Sequence, residues 1–73
     1  MTAETLRQAL QELHGKRSCT LVFEGVPEPN TGLTIRSAML VPDEEDHLLK
    51  LTDGQSIYII DAERVAYVRI GTE

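Results

Sequence analysis

The sequence has few of the residues on which several classes of function depend. Its 73 residues include one cysteine, two histidines, one phenylalanine and no tryptophan. Because Cys19 stands alone, the chain forms no intrachain disulfide, whereas a secreted chain of this length would often need several. The sequence also lacks the cysteine and histidine spacing of metal sites and the glycine-rich loop of phosphate sites. We therefore predict no metal and no cofactor.

Positive charge is also scarce. Seven lysines and arginines stand against twelve aspartates and glutamates, which gives a net charge of −5. Binding to a phosphate backbone requires clustered cations, and Lys16-Arg17 is the largest basic cluster of this chain. RNA binding by the monomer is therefore disfavoured, DNA is not expected, and an anionic membrane surface is disfavoured for the same reason. Because no signal peptide and no apolar run of membrane-spanning length is visible, we expect a cytoplasmic protein.

No arrangement of residues typical of an active site is visible. His14 and His47 are far apart in sequence, and neither has a second histidine or a cysteine nearby. Cys19 alternates in phase with apolar neighbours, which is typical of a buried position. The acidic run over residues 43–46 lacks the spacing of a calcium loop, so we interpret it as a solvated turn. We predict no catalytic residue and no enzymatic activity.

The residues that are present indicate one small domain over residues 1–73. A chain of this length buries only about 60% of its unfolded surface, so its core is marginal without additional contacts. Leu6, Leu10 and Leu13 form one apolar stripe at helical spacing. With Thr2 as N-cap and Gly15 following the last turn, the pattern predicts a helix over about 3–14.

After Gly15 the apolar residues alternate with a period of two. This pattern predicts five strands, over residues 17–25, 32–41, 47–52, 55–60 and 64–70. The second strand is expected to bend near Ser37-Ala38, residues 25–32 to form a loop, and Asp53-Gly54 to form a two-residue hairpin turn. Consecutive strands with short connections pair antiparallel. The predicted fold is therefore mainly β, with an N-terminal helix followed by a strongly bent five-stranded antiparallel sheet or small barrel, Sm-like or SH3-like.

The order of these elements resembles that of the Sm-like (LSm) family. The closest stretches are residues 48–53, an apolar third strand that ends in an acidic residue, and residues 58–68, two apolar strands joined by a tight turn. The resemblance implies a ring of subunits in which the fourth and fifth strands make the contacts between neighbours. It thereby implies a subunit interface at Tyr58, Val65, Tyr67 and Arg69.

The resemblance also implies positions for a bound ligand. By family position these are His47, Asp61 and Arg64. The sequence departs from the family here, because no asparagine precedes the third strand and because Asp61 and Glu63 bring carboxylates to a phosphate-facing turn.

These observations predict a non-enzymatic, homo-oligomeric binding or scaffold module, with a ring as the preferred geometry. One alternative is an RNA-binding Sm-like ring that uses Arg64 and His47 near its pore. A second alternative is a monomeric or dimeric protein-interaction domain in which an acidic face around Glu44 and Glu45 meets a basic partner.

Overall fold

The computed structural model describes residues 1–25 and 32–72. The chain begins with a short helix and continues with five strands and one 3₁₀ turn. These elements are α1 (Ala3–Leu10), β1 (His14–Phe23), β2 (Gly32–Leu40), β3 (Leu49–Thr52), β4 (Ile57–Ile60), the 3₁₀ turn Ala62–Arg64, and β5 (Val65–Ile70). Most of the predicted loop over 25–32 lies outside the described residues.

The five strands form one antiparallel sheet in the order β4-β3-β2-β1-β5. This arrangement confirms the predicted fold class, a mainly β protein with an N-terminal helix and a five-stranded antiparallel sheet. The sheet is not closed into a barrel. Within residues 1–25 and 32–72, β5 pairs with β1 and β4 pairs with β3, so β4 and β5 lie at opposite edges.

The helix starts where the sequence predicts and ends earlier. The amide N–H of Thr5 donates to the hydroxyl oxygen of Thr2 at 3.1 Å, which makes Thr2 the N-cap. The helix ends at Leu10 instead of residue 14, because the chain turns to bring Leu13 into the core and to start β1 at His14. The predicted strand over 17–25 is accordingly β1 at His14–Phe23.

Gly15 has a different role from the predicted helix terminus. It lies inside β1 with a φ of +85°, close to the register shift that separates the β1–β2 pairs His14↔Met39 and Arg17↔Ala38. Glycine adopts this backbone conformation without steric cost. Gly15 therefore allows the sheet to bend and does not terminate the helix.

The core lies between α1 and one face of the sheet. It contains the three leucines of the predicted stripe, the inward residues of every strand and Ala62 of the 3₁₀ turn: Leu6, Leu10, Leu13, Cys19, Leu21, Ile35, Ala38, Leu49, Leu51, Ile60, Ala62 and Val65. Cys19 is fully buried, as predicted, and burial raises the pKa of its thiol. Its side chain therefore acts as a small apolar group of the core.

The predicted bend of the second strand is present at Ser37. This residue has a φ of +52°, and the β1–β2 register shifts between Arg17↔Ala38 and Cys19↔Ile35. An extra residue on one strand of a pair increases the local bend and twist. Because a non-glycine residue with left-handed backbone costs roughly 1–2 kcal/mol, Ser37 stores strain at the bend.

The β3–β4 hairpin turns one residue later than predicted. The amide of Asp53 donates to the carbonyl of Ser56 at 3.4 Å, so Gly54 and Gln55 occupy the turn and β4 begins at Ile57 instead of residue 55. The Asp53 carboxylate accepts from the amides of Gln55 and Ser56 at 2.9 and 2.8 Å. These amide hydrogen bonds, that of Ser56 first, lower the pKa of Asp53.

Replacing Ser37 with glycine is expected to stabilise the fold. Ser37→Gly removes a left-handed cost of roughly 1–2 kcal/mol and adds about 0.5–1 kcal/mol of backbone entropy, so we expect a net gain of about 0.5–1 kcal/mol. Arg36→Gly is the matched control, since Arg36 is also exposed and lacks a positive φ; it should lose about 0.5–1 kcal/mol. Urea unfolding measures both. Equal destabilisation by the two substitutions would contradict strain at Ser37.

Candidate functional site

A groove of about 830 Å³ lies at the end of the sheet where β4 ends and β3 begins, next to the start of α1. Three segments line it, residues 1–3, 47–49 and 59–63. Two of the three residues predicted to bind a ligand, His47 and Asp61, lie among them. The structure thus brings together positions 14 residues apart in sequence.

The first wall of the groove is the N-terminal end of α1. The α-amino group of Met1 donates to the carbonyl oxygens of Ala62 and Val65, each at 3.0 Å. These two hydrogen bonds fix residues 1–3 against the 3₁₀ turn. The wall is therefore held by the link between β4 and β5, which is distant in sequence.

The second wall is the turn that precedes β3. His47 has a φ of +56°, and its amide donates to the carbonyl of Glu44 at 2.9 Å. The amide of Leu48 donates to Asp46 Oδ1 at 3.0 Å. These bonds replace strand pairing, so β3 begins at Leu49 instead of the predicted residue 47. The Leu48 side chain consequently remains 45% exposed at the groove.

Lys50 holds this turn from β3. Its Nζ donates to Glu44 Oε1 at 2.8 Å and to Asp46 Oδ2 at 2.7 Å. The hydrogen bond from Lys50, followed by that from the amide of Leu48, lowers the pKa of Asp46. The same carboxylates, Asp46 first, raise the pKa of Lys50. One lysine therefore fixes two carboxylates of the acidic run.

Arg7 connects the same turn to the helix. Its guanidinium donates to the carbonyl of Val41 and to the carbonyl of Leu48, each at 3.2 Å. It also lies 3.7 Å from Asp43 Oδ1, and His47 Nδ1 lies 3.5 Å from Asp43 Oδ2. The acidic run over 43–46 is exposed, as predicted, and three of its four carboxylates have cationic or imidazole partners within the chain.

The third wall contains the link between β4 and β5. Asp61 Oδ1 accepts from the amide of Glu63 at 3.3 Å, and Ala62 is buried beneath them. Arg64, the third predicted ligand residue, lies outside the groove, with its Nε 3.7 Å from Asp61 Oδ2. The rim of the groove on this side therefore carries the carboxylates of Asp61 and Glu63.

The residues predicted at a subunit interface lie in two different environments. Tyr67, 57% exposed, and Arg69 are at the surface of edge strand β5. Tyr58 is half-buried on edge strand β4, and its hydroxyl donates to Asp53 Oδ2 at 3.3 Å. Val65 is only 2% exposed, so its side chain belongs to the core and not to the edge.

A shift of register explains the burial of Val65. The β1–β5 pairs run Val22↔Tyr67 and then Phe23↔Val65, so Ala66 is an extra residue on β5. Such a bulge places Val65 and Tyr67 on opposite faces of the sheet, whereas strict alternation would place them on one face.

Two exposed isoleucines on β4 were not among the predicted site residues. Ile57 and Ile59 are 64% and 62% exposed, and Ile59 also lines the groove. The signal in the sequence is the run 57–60, an apolar strand of the composition Ile-Tyr-Ile-Ile without a polar position. A strand with one solvated face would normally alternate apolar and polar residues.

The described ranges contain neither a metal-binding cluster nor a membrane-spanning helix. No group of three or more His, Cys, Asp or Glu side chains in residues 1–25 and 32–72 is arranged to hold a metal ion. In the same part of the chain, no helix combines the length and the apolar character needed to cross a membrane.

Comparisons with protein-family models, with curated proteins and with solved structures found no match.

The turn beside the groove should make the stability of the fold depend on pH through Asp46. Folding lowers the pKa of the Asp46 carboxyl group. The ionised carboxylate therefore stabilises the fold fully above its unfolded-state pKa of about 4, and this stabilisation is lost as the pH falls through the folded-state pKa. Lys50→Met keeps most of the aliphatic stem and should move the pKa of Asp46 back toward its ordinary value. Carboxyl NMR titration measures this shift. Lys16→Met, an exposed lysine elsewhere, should leave Asp46 unaffected, and an unchanged Asp46 in Lys50→Met would contradict the role of Lys50.

Proposed function

We propose that this protein is a non-enzymatic binding or scaffold module that assembles head to tail, through β4 of one copy and β5 of the next, into an Sm-like ring. The observation that carries the proposal is the pair of open edges, because β4 and β5 each have one neighbouring strand in the sheet. The following geometry supports it.

The open side of β4 presents the backbone groups of Ile57 and Ile59. The amide of Val41 donates to the carbonyl of Lys50 at 3.0 Å, so the backbone groups of Lys50 point toward β2. Backbone groups of successive residues point to opposite sides of a strand, and those of Leu51 therefore point toward its partner Tyr58. By the same alternation, the N–H and C=O groups of Ile57 and Ile59 point away from the sheet.

The open side of β5 presents the backbone groups of Val68 and Ile70. The amide of Gly71 donates to the carbonyl of Ser18 at 2.9 Å, which fixes the alternation along the β1–β5 pair. The neighbouring pair Cys19↔Ile70 is therefore a non-hydrogen-bonded pair, and the N–H and C=O groups of Ile70 point away from β1. The two edges thus offer complementary rows of donors and acceptors.

The exposed side chains of β4 are apolar, whereas β5 exposes a charged residue next to an aromatic one. Ile57 and Ile59 are more than half exposed, β4 contains no charged residue, and β5 exposes Tyr67 beside Arg69. Natural proteins usually protect an edge with charge, proline or a covering element, since an exposed apolar edge pairs with other chains. β4 itself contains neither a charged residue nor a proline, which favours pairing with a second copy.

Two different edges favour a cyclic assembly. When one edge pairs with the other edge of the next copy, the contact is heterologous and repeats until the ring closes or a filament grows. The bends at Gly15 and Ser37 curve each sheet, which favours closure. The resemblance to Sm-like proteins in element order supports the same geometry.

Neither alternative from the sequence gains an observation of its own. For an RNA-binding ring, Arg64 lies beside Asp61 and His47 lies beside Asp43, so the cations at the site face carboxylates. For an acidic interaction face, the Glu44 carboxylate is held by Lys50. We therefore retain the assembling scaffold as the proposed function.

The mass of the protein in solution tests the assembly. Light scattering after size exclusion should give a single species of roughly five to seven chains, independent of concentration in the micromolar range. Ile57→Lys places a charge on the open edge and should reduce this species to the monomer, because the cation would be buried at the junction.

Met39→Lys is the matched control. Met39 is also an apolar residue at the surface, 47% exposed, but it lies on the interior strand β2. It shares a row of the sheet with Ile57, because both pair with Thr52 of β3. It should leave the ring intact. A monomeric wild-type protein would refute the assembly. If Met39→Lys disrupted the ring and Ile57→Lys left it intact, the copies would pack through the face of the sheet instead of its edges.

A further inference from the structure

We infer that the groove between α1, the turn before β3 and the β4–β5 link binds an extended segment of a partner protein, in which an aliphatic side chain stands next to lysine or arginine. This inference rests on the binding role proposed above, but it does not depend on the ring.

The floor of the groove is apolar and open to solvent. Leu48 is 45% exposed and Ile59 62% exposed, and the buried residues Leu49, Ile60 and Ala62 also line the groove. Exposed aliphatic side chains that line one concave surface are typical of a site for another apolar group. An aliphatic side chain of a partner would remove both from water.

At the β4–β5 link, the charged side chains on the rim of the groove are acidic. Met1 also lines the groove and its α-amino group donates to the carbonyl oxygens of Ala62 and Val65, and His47 lies 3.5 Å from Asp43. Asp61 and Glu63 flank the β4–β5 link, and Asp61 shares its charge with Arg64 at 3.7 Å. In the described part of the chain no side-chain cation lies within ion-pair distance of Glu63. Complementary charge on the partner is therefore positive, and a phosphate backbone would meet like charge.

The size of the groove fits a short segment. At about 830 Å³ it lies within the roughly 300–1,000 Å³ range of ligand pockets, enough for a few side chains and too small for a folded domain. The chemistry and the size together indicate a peptide segment with one aliphatic anchor and an adjacent cation.

The test uses the full ¹⁵N-labelled chain and three matched acetylated heptapeptides. The first has the sequence Gly-Ser-Arg-Leu-Arg-Ser-Gly, and the other two replace both arginines with glutamate or replace the leucine with serine. Short oligo(U) is the nucleic-acid probe. We expect the arginine–leucine peptide to shift the amides of residues 47–49 and 59–63 and to bind at least tenfold more tightly than the other two peptides. Oligo(U) should leave these amides unchanged.

Matched variants separate the groove from general charge attraction. Glu63→Lys and Leu48→Lys should each weaken the peptide at least tenfold, whereas Glu45→Lys, the same charge change on an exposed residue outside the groove, should change it less than twofold. The amide spectrum of each variant verifies that it is folded. The Ile57→Lys monomer should still bind the peptide, which separates this inference from ring assembly.

Four results would overturn the inference. The first is that the arginine–leucine peptide does not bind, and the second is that the peptide with serine in place of leucine binds equally well. The third is that the amide shifts centre on residues 43–46 and respond equally to Glu45→Lys and Glu63→Lys. The fourth is that the groove amides respond to oligo(U) and not to the peptides. The last result would instead support an RNA-binding site.

Discussion

Each strand of a β-sheet carries two rows of backbone hydrogen-bonding groups, and β4 and β5 each have a strand partner for one row. This constraint follows from the pairing of β5 with β1, which separates it from β4 although only a 3₁₀ turn connects them. Among residues 1–25 and 32–72, the outer backbone rows of β4 and β5 have no strand partner, so these rows are where another chain could pair. The exposed isoleucines Ile57 and Ile59 lie on β4, one of these two edge strands, and this coincidence is the basis of the self-association that we propose.

The groove depends on a second set of contacts that are long-range in sequence. Arg7 of the helix and Lys50 of β3 hold the acidic run before β3, and this turn leaves Leu48 at the surface. The Met1 amino group fixes the opposite wall to the β4–β5 link. Ile59 belongs to both features, because its side chain lines the groove while its backbone faces the open edge. In the proposed ring, each groove would lie beside a junction between subunits.

Particular residues show how far the sequence predicts this arrangement. The leucine stripe, the Thr2 cap and the burial of Cys19 follow from local spacing and residue chemistry, and the structure contains all three. The local sequence does not predict the end of the helix at Leu10, because Leu13 continues the helical spacing of apolar residues. In the structure Leu13 is part of the core although it lies outside the helix. Similarly, the bulge at Ala66 turns Val65 into the core, although the alternation of residues 65–70 is regular in the sequence.

The candidate site divides in the same way. Periodicity and turn chemistry determined the element types, because the period of a strand and the positive φ of Gly54 are local properties. The resemblance implies His47 and Asp61 as ligand positions, but the sequence contains no sign of the groove that they share. Tertiary structure decided that groove, the exposure of Ile57 and Ile59, and the open sheet, because each depends on which distant segments pack together and which edge remains without a partner.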